Sequence, residues 1–150
     1  MRILLVGDGP SKQELQADAE KRRLDNLVFH PPVAKELIPS LLRRCTGGLM
    51  IINDVEHFRY GVSPNKLLDY VASGLPVVTN VAGAVARTVE EAKAGIVVPP
   101  GDPAALAEAA RQVASHPCDS ATGSAYVAAH RDRRVLAERL AQVIDNVRRT

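Results

Sequence analysis

Short apolar segments alternate with amphipathic segments along nearly all of this 150-residue chain. The apolar segments have the length of strands, and each is followed by a segment whose apolar side chains have helical spacing. Alternation of this kind predicts βαβ crossovers, and hence a mainly parallel sheet with helices on both faces. We therefore predict a three-layer α/β domain with about five strands. The predicted strands are Ile3–Val6, Leu27–Phe29, Leu49–Ile52, Pro76–Thr79 and Ile96–Val98.

The helical segments divide the chain into a main domain and a C-terminal helix. Helices are predicted at about 11–24, 35–44, 64–73, 85–92 and 103–115, the last with Asp102 as its cap and Pro103 as its first residue. Residues 116–124 are rich in turn formers, and one long helix is predicted from about Ala125 to Arg148. We therefore predict a domain of residues 1–124, on which residues 125–150 pack or from which they extend.

The composition excludes several classes of protein. The hydrophobic fraction of 46% and the charged fraction of 24% are ordinary for a globular domain, and the formal net charge is only +2. With 3% aromatic residues, the chain lacks the stacking platforms of nucleic-acid binders. Two well-separated cysteines and the lack of an apolar run of membrane-spanning length favour a cytoplasmic protein. The sequence contains no Asp-x-Asp pair, and we therefore predict neither a metal nor another cofactor.

The segment from Ser63 to Val78 predicts a helix that begins with an anion site. Ser63 suits the N-cap and Pro64 the first helical position, while Gly74 can end the helix. Lys66 falls in the first turn, where a cation opposes the helix dipole at a cost of about 0.3–1 kcal/mol. A bound phosphate would reverse that effect, because free N–H groups and an ammonium both attract it.

Two charged residues of this helix have two interpretations. Lys66 and Asp69 are three residues apart and so share one helix face. They could form a solvated pair worth a few tenths of a kcal/mol. Alternatively, Lys66 binds a diphosphate while Asp69 accepts hydrogen bonds from two ribose hydroxyls. We favour the second interpretation because the cap, the polar pair and the position after a parallel strand agree.

A glycine turn follows the first predicted strand. Gly7 and Gly9 give the start of the dinucleotide fingerprint, but Lys12 stands where its third glycine is needed. His30 and Pro31 also stand where an acidic residue would bind the ribose of a dinucleotide. The pattern therefore disfavours NAD binding. It leaves open a tight structural turn or a turn that lines a nucleotide-sugar site.

Two basic regions are less specific. Arg59 lies in the long loop before the Ser63 cap, where it could bind a phosphate or face solvent. The last predicted helix has a basic face, which favours a solvated surface over docking on an acidic partner or a membrane.

Several of these motifs together resemble a known family, the group 1 glycosyltransferases. The resemblance covers about residues 3–115 and corresponds to the C-terminal half of these enzymes. Within the family, the chain resembles most the subset that builds bacterial surface polysaccharides. The motifs that carry it are Leu5–Pro10, Val28–His30, Ser63–Val78 and Gly95–Asp102.

The resemblance implies a fold and a set of site residues. Members are retaining sugar-nucleotide transferases of GT-B architecture, in which two Rossmann-like domains face each other and the C-terminal one binds the donor. Ser63, Asn65 and Lys66 match the diphosphate-binding segment, and Asp69 matches the second acid of a paired motif that binds the ribose. Gly61 stands in place of the first acid, and Arg59 and Val62 complete the predicted donor site. His30 and Val33 match the loop near the nucleobase.

The resemblance also implies missing parts. The N-terminal acceptor-binding domain has no counterpart, and neither has the family's opening strand with its glycine–arginine and lysine groups. We therefore expect a fragment or a truncated form, completed by the missing domain, by a partner subunit or by a second copy in a homodimer. Our main hypothesis is the donor-binding part of a retaining glycosyltransferase, inactive alone, in the cytoplasm or at the inner face of the membrane. The alternative is a non-catalytic assembly module with a vestigial nucleotide site.

Overall fold

The computed structural model describes residues 1–53, 65–115 and 120–148, and within them two compact units. Unit 1 is Met1–Leu41 and unit 2 is Leu42–Thr150. All strand pairs are parallel, which confirms the predicted α/β class, and five strands are present in the described residues. They form one sheet of two strands and one of three, where the sequence predicted a single sheet.

Unit 1 contains the two-stranded sheet. Its elements are β1 (Ile3–Val6), α1 (Lys12–Lys21), β2 (Leu27–His30), a 3₁₀ turn (Lys35–Leu37) and the start of α2 (Ile38–Leu42). β1 and β2 pair in the register Ile3↔Leu27 to Val6↔His30. Ala19 is the single buried residue among residues 1–41, and Leu4 and Leu5 are exposed although they point to opposite faces of β1. Unit 1 therefore has almost no core of its own.

Unit 2 contains the three-stranded sheet, in the order β3-β4-β5, and five described helices beyond α2. The strands are β3 (Gly48–Met50), β4 (Val77–Thr79) and β5 (Gly95–Val97). The helices are α3 (Asn65–Ala72), α4 (Ala84–Glu91), α5 (Pro103–Ser115), α6 (Ser120–His130) and α7 (Arg133–Arg148).

Both faces of the β3-β4-β5 sheet are covered, as the three-layer prediction requires. Val77 packs with Leu67 and Val71 of α3 and with Val85 and Val89 of α4. Val78 points to the opposite face, where it packs with Ala109 and Val113 of α5. β4 is buried along its whole length because it is the central strand. Unit 2 is thus an α/β/α sandwich around β4.

The predicted C-terminal helix is divided into two. α6 begins at Ser120 and ends at His130, and α7 begins at Arg133. The break follows from Asp132, whose Oδ1 accepts a 2.8 Å hydrogen bond from the Arg134 N–H and so caps α7. α6 is joined to α4 by the Tyr126 hydroxyl, which donates to Glu91 at 2.7 Å. Arg131, the residue directly after α6, donates to the Thr88 hydroxyl of α4 at 3.3 Å.

α7 carries an apolar stripe that the described part of unit 2 leaves exposed. Its members recur at spacings of four and three residues and so share one helix face. They are Leu136, Leu140, Val143 and Val147. None of the described residues of α7 is buried.

Candidate functional site

The N-terminal end of α3 lies at the carboxyl edge of the β3-β4-β5 sheet. β3 and β4 are parallel and adjacent, so the connection that contains α3 must run from the carboxyl end of β3 back to the amino end of β4. α3 therefore begins near the edge where parallel α/β sheets bind their ligands. The structure describes this helix from Asn65 onward, while the predicted cap Ser63 and first helical residue Pro64 lie outside the described residues.

α3 presents its charged side chains to solvent. Leu67 and Val71 are buried in the core, whereas Lys66 and Asp69 are exposed. The helix is thus held by its apolar face, and its first-turn ammonium and the carboxylate three residues later stay accessible. The structure places Asn65, Lys66 and Asp69 together on α3. The other predicted donor residues, Arg59, Gly61, Val62 and Ser63, lie outside the described residues.

Tyr70 of α3 packs against the start of β3. A Cβ added to Gly48 would lie 2.5 Å from Cδ2 of the Tyr70 ring, so the ring occupies the space that a side chain at position 48 would fill. Burial raises the pKa of the Tyr70 phenol above its usual 10.0, with smaller contributions from Cys45 and Asp69.

Tyr70 is expected to make unit 2 less stable in alkali. Because the folded state raises this pKa, it favours the neutral phenol, and the resulting stability is complete below pH 10 and is lost as the pH rises through the folded pKa. Urea midpoints are measured from pH 9 to 11.5 in steps of about 0.5 pH unit. As the pH rises, the midpoint should fall less steeply for Tyr70→Phe than for the unaltered chain. Tyr126→Phe is measured for comparison, because the pKa of Tyr126 is also raised, but chiefly by its hydrogen bond to Glu91. Parallel curves for Tyr70→Phe and the unaltered chain would contradict the assignment.

The glycine turn after β1 is held by Lys12. The Lys12 Nζ donates a 2.9 Å hydrogen bond to the Gly7 carbonyl and lies 3.8 Å from Asp8 Oδ1. The Gly9 N–H donates to the same Asp8 oxygen at 3.0 Å. Lys12 occupies the place of the third glycine of a dinucleotide fingerprint, and here it stabilises the turn instead. The sequence reveals the substitution but not this contact.

The turn also contacts the predicted nucleobase loop. The Gly7 N–H donates a 3.1 Å hydrogen bond to the His30 carbonyl, which joins the end of β1 to the end of β2. The His30 ring is exposed, and its Nδ1 lies 2.8 Å from the Pro31 carbonyl oxygen. Val33 is partly buried. Unit 1 therefore brings together Gly7, Gly9 and the strand end at His30, while the α3 group belongs to unit 2.

The part of the chain that the structure describes offers neither a metal-ion cluster nor a membrane-spanning helix. No cluster of three or more His, Cys, Asp or Glu side chains suited to a metal ion occurs within residues 1–53, 65–115 and 120–148. Within the same ranges, no helix is both long and apolar enough to cross a membrane.

The fold and the glycine turn define a Rossmann-like α/β protein, and comparison with known proteins identifies its family. The family described as "Glycosyl transferases group 1" matches residues 1–116. The chain therefore belongs to the group 1 glycosyltransferase family, as its motifs predict.

Individual relatives agree with this assignment. The chain is 28% identical over 112 residues to the O-antigen chain mannosyltransferase C of Escherichia coli, an alignment that covers 74% of this chain and 29% of that protein. Among solved structures, it is similar to Anabaena HepE, solved in complex with UDP, with a TM-score of 0.76 and 21% identity over 97% of the chain.

Two further structures share the fold. AviGT4, a glycosyltransferase of avilamycin A biosynthesis, matches with a TM-score of 0.73 and 23% identity over 94% of the chain. WaaG, a glycosyltransferase of lipopolysaccharide biosynthesis, matches with a TM-score of 0.64 and 22% identity over 95% of the chain. The chain spans 41%, 41% and 38% of HepE, AviGT4 and WaaG, respectively. These likenesses establish a GT-B type Rossmann-like fold for a segment of that size.

Proposed function

We propose that this chain is the donor-binding part of a retaining glycosyltransferase. It would bind a nucleoside-diphosphate sugar, whose sugar passes to a glycan or lipid-linked acceptor held by a domain or partner subunit outside these residues. The observation that carries the proposal is the exposed Lys66 in the first described turn of α3, which follows β3 on the carboxyl side of a parallel sheet. The UDP complex of HepE, a structural neighbour, supports the same class of ligand.

Each side chain on α3 has a role in this proposal. The Lys66 ammonium and the N–H groups at the start of α3 bind the diphosphate, and they stabilise the negative charge that develops on it as the sugar leaves. Asp69 accepts hydrogen bonds from the ribose hydroxyls, because an ionised carboxylate can accept two at once. Neither role requires a metal ion, so we expect EDTA to leave nucleotide binding unchanged.

Lys66→Ala is expected to have opposite effects on binding and on stability. Calorimetric titration with UDP, GDP and ADP should show affinity lowered by about tenfold or more for the nucleotide that binds the unaltered chain. The same substitution removes a cation that opposes the α3 dipole, so the nucleotide-free chain should gain about 0.3–1 kcal/mol of stability. Loss of binding through misfolding would lower stability instead, which separates the two explanations.

Lys93→Asn is the matched control for this experiment. Lys93 is also an exposed lysine of unit 2, but it lies just before β5 and hence at the amino edge of the sheet. Asparagine tolerates its positive φ of 48° better than alanine does. If Lys66→Ala binds as tightly as Lys93→Asn, or if the unaltered chain binds no nucleotide, the proposed donor site is wrong.

The second candidate function is a non-catalytic module for subunit assembly. The exposed stripe of Leu136, Leu140, Val143 and Val147 on α7 favours it, because apolar stripes of this spacing usually pack against a partner. Size-exclusion chromatography with light scattering distinguishes the two functions. A stable dimer that gives no heat with any nucleotide would support assembly, and a nucleotide-binding monomer would support the donor site.

A further inference from the structure

Arginines border the apolar stripe of α7 on both sides. Arg139 lies three residues after Leu136 and so borders one side of the stripe. Arg148 lies four residues after Ile144, an exposed side chain that widens the stripe on its other side. Arg133 lies three residues before Leu136, where the stripe begins. Three of the four arginines of α7 therefore adjoin its apolar face.

The two acidic residues of α7 lie on the opposite face. Glu138 is two positions from Leu136 and two from Leu140, and two positions along a helix are a rotation of about 200°. Asp145 follows Glu138 by seven residues and so shares its face. The fourth arginine, Arg134, is four residues before Glu138 and joins that acidic face. Positive charge thus surrounds the apolar stripe, and negative charge lies on the far side of the helix.

The stripe lacks the packing that a helix of this length needs. Its members and Ile144 are between 44% and 71% exposed. A helix of 16 residues is marginal in water unless its apolar face is packed. Arg139 donates a 3.5 Å hydrogen bond to the Ala129 carbonyl at the end of α6, but this bond covers none of the stripe. α7 therefore presents a surface that would be stabilised by an apolar environment.

Charge and size favour an anionic lipid surface over a protein partner. A helix of 16 residues is about 24 Å long, and one face of it falls well below the roughly 800 Å² that each partner buries in a stable interface. The members of the stripe are all aliphatic, whereas the centres of protein interfaces are enriched in aromatic side chains. A membrane needs no matching shape, because acyl chains accept the stripe while lipid phosphates attract arginines on both sides of it.

We propose that α7 binds the surface of an anionic membrane. The helix lies in the plane of the surface, with the stripe among the acyl chains and Arg133, Arg139 and Arg148 beside the phosphates. Glu138 and Asp145 then face the water, away from the negative lipids. This proposal departs from the solvated surface that the sequence alone favours, and it does not depend on the proposed donor site.

Co-sedimentation of the full chain with lipid vesicles tests the proposal. Binding should be about tenfold or more tighter to vesicles of phosphatidylcholine with about 30% phosphatidylglycerol than to vesicles of phosphatidylcholine alone. It should weaken as salt is added, because salt screens the attraction between arginines and phosphates. Equal binding to the two kinds of vesicle, or binding to neither, would refute the proposal.

Arg133→Gln and Arg134→Gln form a matched pair. The two residues are adjacent, and each substitution removes one positive charge from the first turn of α7. Arg133→Gln should bind the anionic vesicles about fivefold more weakly, because it removes a charge beside the stripe. Arg134→Gln should stay within about twofold of the unaltered chain, because it changes the acidic face. Equal losses would show attraction by net charge alone and would overturn the proposed orientation.

Leu140→Gln and Ala141→Gln form the corresponding pair for the stripe. Both positions are exposed and glutamine is a good helix former, so both variants should keep the circular dichroism of the unaltered chain. Leu140→Gln should bind the anionic vesicles about tenfold or more weakly, and Ala141→Gln should stay within about twofold of the unaltered chain. Equal affinities of these two variants would contradict insertion of the stripe. Should Leu140→Gln fail to fold, the arginine pair decides.

Light scattering without vesicles tests a second copy as the occupant of the stripe. The unaltered chain should be monomeric there. A dimer that Leu140→Gln dissociates would assign the stripe to an interface between two copies and refute the membrane surface.

Discussion

Gly95→Ala is expected to destabilise unit 2 strongly. Gly95 begins β5 and pairs with Val77 of the central strand. A Cβ added at position 95 would overlap the Val77 carbonyl oxygen and lie 2.6 Å from the Val77 nitrogen, and both atoms belong to the backbone. The Val77 N–H also donates a 2.7 Å hydrogen bond to the Ala94 carbonyl, so the two strands cannot separate locally without losing that bond.

Gly95→Ala is expected to lower the free energy of unfolding by about 4 kcal/mol or more. An ordinary domain has a total stability of about 5–15 kcal/mol. A flexible side chain could move aside, but a buried central strand cannot, because Val77 is fully buried between two layers of helices. Urea denaturation followed by circular dichroism measures this cost. Gly9→Ala is the control, since a Cβ at Gly9 meets no atom within 4 Å. A Gly95→Ala protein with the urea midpoint of Gly9→Ala would contradict the predicted clash.

The regular elements were largely predictable because local signals and packing agree. Ile3–Val6 and Pro103–Ser115 have the predicted bounds, and the Asp102 carboxylate caps α5 by accepting a 2.9 Å bond from the Ala105 N–H. The prediction of a single C-terminal helix was wrong. The amphipathic pattern continues across Asp132, but the Asp132 side chain caps a new helix there. Ser11 precedes α1 and Glu14 follows three residues later, a spacing typical of a capping box, but the Ser11 side chain makes no capping bond.

The division into two sheets was not predictable from strand patterns. Apolar segments show which residues form strands, but not which edges pair. Within the described residues, β1 pairs only with β2 and β3 only with β4, so each has one open edge. The same limit applies to Gly95, whose sequence context predicts only the end of a helix. The need for glycine there comes from the close approach of Val77, 18 residues earlier, through the register of β5.

The candidate site was predictable where it depends on helix periodicity. Lys66 and Asp69 share an exposed face opposite Leu67 and Val71, as their spacing requires. Lys12 was not assigned, because a lysine five residues after a glycine does not by itself show that its ammonium turns back to that carbonyl. Asn80 was not assigned either, because its side-chain hydrogen bonds reach the backbone of Ile52, 28 residues earlier in the chain. Asn80 had one signal: a residue with a carboxamide directly after a buried strand, at the carboxyl edge of the sheet.

Leu67→Ala is expected to cost about 2–5 kcal/mol, whereas Leu140→Ala should cost less than about 0.5 kcal/mol. Both leucines are on helices, so the difference in helix propensity between leucine and alanine cancels in the comparison. Leu67 is 2% exposed and packs in the core with Met50 and Val71, and its truncation leaves a cavity between α3 and the sheet. Leu140 is 61% exposed, so its truncation removes little buried surface.

Urea midpoints of the two variants, measured at a few protein concentrations, test this difference in stability. They also show whether the α7 stripe is free or covered by a second copy. If the stripe is free in solution, Leu140→Ala keeps the midpoint of the unaltered chain at every concentration. If a second copy covers the stripe, the midpoint of the unaltered chain rises with concentration, and Leu140→Ala reduces that rise. Similar losses for Leu67→Ala and Leu140→Ala at low concentration would contradict the packing of α3, because Leu67 could not then be the buried anchor that holds Lys66 and Asp69 at the edge of the sheet.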